Sequence, residues 1–148
     1  MYSIDDLDET KSCEIAYEFE VKSSAGKGTG LFLSIIGDHA KRITDFTAER
    51  MNERRVAEAM QAKRDPRGKN PLVHKVEEDV EFSNELIALR IVGWRGTLKE
   101  AYSHEAAVKL CTVNSDIKEQ ILEKSGDMKN FPTPFSTNSA STSDTTHT

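Results

Sequence analysis

Histidine, cysteine and carboxylate side chains do most acid–base, nucleophilic and metal chemistry, and their spacing decides whether they act together. The four histidines, His39, His74, His104 and His147, are scattered. There is no HExxH and no i, i+4 pair that would set two imidazoles on one helix face around a metal. Cys13 and Cys111 stand far apart inside apolar patterns, with no CxxC. That reads as two small hydrophobes in a reducing cytosol, not as a zinc site, a disulfide framework or a nucleophile. The stretch "GKGTG", residues 26–30, suggests a phosphate cradle by composition. It has neither the GxxxxGK[ST] spacing nor GxGxxG, and it runs into a strand-like segment instead of a helix. The carboxylates of "EEDVE", residues 77–81, fit the wet face and first turns of a helix, and no GxSxG motif is present. These patterns predict a protein that is not an enzyme and carries no cofactor, metal or catalytic residue.

Composition sets the frame for the elements. The 148 residues suit one domain with a modest core. The apolar fraction is 36%, charged residues make up 30%, and the net charge is −5. A small core with much solvated helix follows, and the negative balance argues against nucleic acid as a partner of the whole chain. Lys63, Arg64, Arg67, Lys69 and Lys75 form a local basic cluster with only Asp65 opposing. It reads as a helix end plus a solvated loop, or as a contact for an acidic partner or RNA, though no interleaved aromatic offers base stacking. No apolar run of about 18 residues predicts a membrane span. The acidic start "MYSIDDLDET" is the opposite of a signal peptide's charged region, so the expected location is the cytoplasm.

Residues 1–11 are polar and expected to be loosely held. Residues 12–22, "SCEIAYEFEVK", alternate: Cys13, Ile15, Tyr17, Phe19 and Val21 share one side. This period of two predicts a strand, and "LFLSIIG", residues 31–37, predicts a second, joined to the first as an antiparallel hairpin through the glycine-rich loop. Residues 38–64 lack Gly and Pro and predict a helix capped by Asp38, with a thin apolar stripe of Ile43, Phe46, Met51, Val56 and Met60. Pro66, Gly68 and Pro71 stop it. Residues 72–92 predict the most apolar helix and the centre of the core. Val73, Val76, Val80, Ile87 and Ile91 lie on one face, Phe82, Leu86 and Leu89 widen it, and Gly93 ends it. Two short helices follow, capped by Ser103 and by Asn114 or Ser115, the second stopped by Gly126. After Phe131 the Ser/Thr-rich residues 132–148 predict a disordered tail. The fold class is therefore α+β, an N-terminal hairpin (residues 12–37) packed on a mostly helical body (38–131) within a single domain.

Several short stretches carry a family likeness: "GLFLSIIGDHAKRI" (residues 30–43), "IVGWRG" (91–96), "YSHEAAVKLC" (102–111) and "NSDIKEQILEKS" (114–125). In these the chain resembles the tail assembly chaperones of long-tailed, non-contractile bacteriophages. That family has an N-terminal strand pair, a Gly-x-Asp-Ser helix entry, a Val-Gly-Trp-like exit, a capped "Leu-Cys" helix and an Ile-x-x-x-Ile-like helix. His104 stands where proline is common, and Ala40 departs near the first cap. The likeness spans residues 12–131. It implies a non-enzymatic protein that binds and solubilises the tape-measure protein, recruits tail-tube subunits, and stays in the host cytoplasm, absent from the mature virion. In many relatives a programmed frameshift appends a second domain. The competing expectation is a virion structural protein of the neck or tail.

An undocked tape-measure chain exposes apolar helical faces, so its chaperone needs amphipathic helices that offer a groove. Ile43, Phe46, Met51 and Trp94 are the candidate partner-binding residues from periodicity, and self-association is a further possibility. Trp94 itself is open to three readings: a plug joining helix 72–92 to the short pair, a partner anchor, or a ligand platform.

Overall fold

The computed structural model describes residues 1–70, 72 and 75–136. Expectations placed on Pro71, Val73, His74, His147 and the tail beyond Ser136 lie outside the described residues. The fold is α+β. A short helix α1 (Glu9–Cys13) leads into β1 (Tyr17–Lys22) and β2 (Gly28–Ile35), followed by helices α2 (Lys41–Arg64) and α3 (Val76–Ala88). Strand β3 (Ile91–Gly96) and helices α4 (His104–Val113) and α5 (Ser115–Gly126) complete it.

The predicted hairpin is present: β1 and β2 pair antiparallel, with Phe19 opposite Leu33. Its loop closes on itself, Ser23 N donating to Lys27 O at 2.7 Å and Gly26 taking φ +79°. The first half of the period-two segment is not strand. Asp8 caps α1 by accepting from Thr10 N at 2.9 Å. That turn puts Cys13 beneath Gly37 and leaves Ile15 71% exposed. Alternation in residues 12–16 was a coincidence of composition, because a capped turn satisfies the same backbone groups locally.

The long helix also enters differently. Ala40 occupies its N-cap and offers no side-chain acceptor; Lys41 N instead donates to the Glu14 carboxylate at 2.7 Å. Asp38 is drawn elsewhere. Its Oδ1 accepts from Arg90 Nε at 3.0 Å, and Ser125 Oγ lies 2.9 Å from the same oxygen and 2.8 Å from Ile36 O. Around this point Ile36 N donates to Arg90 O (2.8 Å), Gly37 N to Cys13 O (2.9 Å) and Asp38 N to Ser125 O (3.2 Å). Residues 36–38 thus tie three distant segments together, those of Cys13, Arg90 and Ser125.

The largest departure is at residues 72–92. The helix is shorter, α3, and the chain then straightens into β3, which pairs antiparallel with the free edge of β2: Leu33 faces Trp94 and Leu31 faces Gly96. Gly93 terminates no helix. Ile91, Val92 and Trp94 are β-branched or aromatic, types that fit a pleated surface once a partner edge is available. The sheet order is β1-β2-β3, so β2 is central and Leu33 and Ile35 are wholly buried. The core therefore centres on β2, with α3 contributing Ile87 and Ala88, while Val76 and Val80 stand exposed.

The short helices match their predicted caps. Ser103 accepts from Ala106 N at 3.0 Å and Asn114 from Ile117 N at 3.0 Å. Gln120 of α5 clasps the end of β1, its Oε1 accepting from Lys22 N and its Nε2 donating to Lys22 O, both at 2.8 Å, in imitation of a strand. Phe131, where the tail begins, is buried against Gly37 and meets Tyr17 edge-on at 6.1 Å. Thr133 is buried as well.

Candidate functional site

Helix α2 spans about 36 Å at 1.5 Å per residue, yet it buries only Ile43. Beyond its first turns it leaves the core as an arm, passing alongside α3, which itself packs on α4 and α5. The two helices meet through Phe46 and Phe82, whose rings stack at 5.2 Å and 9°. Arg50 lies 5.2 Å from the Phe82 centroid, a cation–π distance, and Arg54 pairs with Asp79 further out. The cleft around this stack has a volume of about 320 Å³, and Glu49, Glu53, Glu78, Glu81 and Glu85 line it. Five carboxylates around an aromatic floor, with Arg50 the one cation among the lining residues, make a negative field over an apolar contact. That arrangement suits a basic amphipathic segment.

The four residues singled out from sequence are not brought together. Ile43 is buried in the core and unavailable to a partner. Phe46 forms the cleft floor. Met51 is 51% exposed on α2. Trp94 lies on β3, half-buried, with Nε1 donating to Glu100 O at 2.9 Å and its ring edge-on to Tyr102 at 5.2 Å. Tyr102 in turn donates to Ile91 O at 2.8 Å. The indole thus fastens the loop after β3, and its free edge lines a groove of about 170 Å³ with Leu98, Leu110 and Val113.

The chain matches no family model, no curated protein and no solved structure.

The cysteines are unsuited to nucleophilic work. Burial pushes the Cys111 thiol up to about 11, against a smaller opposing pull from Lys118, and burial also raises that of Cys13. Both are therefore protonated at neutral pH. His39 sits 3.3 Å from Glu9 Oε2 and His104 3.7 Å from Glu85 Oε1, each half exposed. Among the described residues no group of three or more His, Cys, Asp or Glu side chains could hold a metal ion, and no helix is long and apolar enough to cross a membrane.

On the sheet face opposite the buried Leu31, Leu33 and Ile35, Arg95 lies 4.1 Å over the Phe32 ring and pairs with Glu18 at 2.7 Å. The guanidinium holds the Glu18 carboxyl below its ordinary value. Periodicity did not anticipate the Phe46–Phe82 stack. Both rings were on apolar stripes, but nothing local says that two stripes face each other.

Proposed function

We propose that this protein is an assembly chaperone for a long, non-contractile phage tail. It holds the tape-measure protein in solution by stoichiometric binding and helps recruit tail-tube subunits, in the host cytoplasm and without catalysis or incorporation into the virion. The resemblance in residues 91–96, 102–111 and 114–125 supports the family, and one observation favours the role. Helix α2 leaves the core beside α3, with an acidic, aromatic-floored cleft between them and with Met51, Val76 and Val80 exposed. A cleft of this kind fits a client helix with an apolar stripe at i, i+3, i+4 and i+7, edged by lysine or arginine.

Co-expression with the tape-measure protein of the same phage, followed by pull-down and pelleting, tests this. The client is expected to move into the supernatant and co-purify, and the Glu78→Lys/Glu81→Lys variant to weaken capture by about tenfold. A client that stays insoluble and unbound, with this chain sedimenting in finished particles, would make it a neck or tail component instead.

A further inference from the structure

A second face of α2, distinct from the cleft floor, has a property of its own. Asp45, Glu49, Val56, Met60 and Lys63 recur at spacings of three, four and seven and so form one stripe along the helix. Asp45, Glu49, Asn52, Glu53, Val56 and Met60 together line a shallow surface there. Val56 is 59% and Met60 49% exposed, and no described residue covers them. Among the described residues Asp45 has one ion-pair partner, the exposed Lys41 at 3.6 Å. Read from the N-terminus, the stripe runs acid, apolar, base.

Such an order is complementary to itself in one orientation only. Laid antiparallel about a twofold axis at Val56, two copies set Val56 against Val56 and Asn52 against Met60. Glu49, two turns before the axis, faces Lys63, two turns after it. Asp45 faces the basic turn that follows the helix, where Arg67 is exposed. A parallel pairing sets like charge against like. We infer that this stripe of α2 is the contact between two copies of this chain in an antiparallel, twofold-symmetric dimer. The contact is a single helix pair with an apolar centre of two side chains from each copy. It is therefore small, and the dimer dissociates in roughly the micromolar range. The apolar centre of this interface, Val56 and Met60, lies outside the client cleft, although Glu49 and Glu53 border both surfaces; its test contains no client, so it stands or falls apart from the chaperone reading.

The experiment is sedimentation equilibrium of the purified full chain over a concentration series at low and high salt. The mass is expected to rise from 16.5 kDa toward twice that value, less steeply at high salt. Val56→Glu/Met60→Glu is expected to stay monomeric with an unchanged circular dichroism spectrum. Glu49→Lys alone and Lys63→Glu alone each place two like-charge pairs in the dimer and weaken it by about tenfold. An equimolar mixture of these two variants restores complementarity across the heterodimer, and Glu49→Lys/Lys63→Glu restores it within the homodimer. A wild-type chain that is monomeric throughout the series overturns the inference. So does a dimer that ignores the single charge reversals, or one that neither the mixture nor the double variant rescues.

Discussion

Asp38 shows how one carboxylate can be reassigned by tertiary structure. Its place ahead of a helical stretch is what a cap residue looks like in sequence. The same oxygen, however, meets Arg90, which is 7% exposed, and the Ser125 hydroxyl. A buried guanidinium without a counter-charge is costly, whereas the helix amide that Asp38 forgoes is served by Glu14. Neither partner was legible, because Arg90 is 52 residues away and Glu14 belonged to a presumed strand. Asp38→Asn keeps the shape and removes the charge. The carboxylate is partly solvated, so the expected loss is about 2–3 kcal/mol in urea unfolding. A loss below about 0.5 kcal/mol, typical of surface changes, would show that the junction is held by its backbone bonds alone.

Elements were legible where local chemistry decides them and illegible where a partner does. The hairpin, the proline break and the two caps at Ser103 and Asn114 rest on alternation, ring closure and side-chain acceptors within a few residues. Strand β3 rests on the exposed edge of β2, so a helical period running through residues 72–92 concealed it. Two glycines separate these readings. Gly96 has φ +110°, and a Cβ there would collide with the Gly30 carbonyl, itself at φ +80°. Gly93 has open space around its Cβ position. Gly96→Ala is expected to cost about 2–4 kcal/mol in thermal or urea unfolding, from strain and lost β2–β3 register. Gly93→Ala should fall within about 0.5 kcal/mol of wild type. A costly Gly93→Ala would instead match a left-handed helix terminator, the assignment that β3 replaces.

At the scale of the whole molecule, stability is unevenly spread. The sheet and the helices on it share one buried cluster, while residues 55–64 of α2 touch little beyond their own helix. In dilute solution, hydrogen exchange should find the amides of Leu31, Leu33 and Ile35 protected about a thousandfold or more beyond those of the distal arm. Uniform protection would mean that the arm is packed into the core. The thin stripe already hinted at such a helix, since a single buried Ile43 cannot anchor two dozen residues. The cleft was not legible, because it needs α2 and α3 side by side. The arm's two ends nonetheless meet: Ile36 and Arg90 are joined by a backbone hydrogen bond, so the whole excursion leaves and re-enters the sheet at one point. Because residues 55–64 add nothing to the buried cluster, the distal turns of α2 can be gained or lost over evolutionary time, changing reach and charge order, while the sheet needs no compensating substitution.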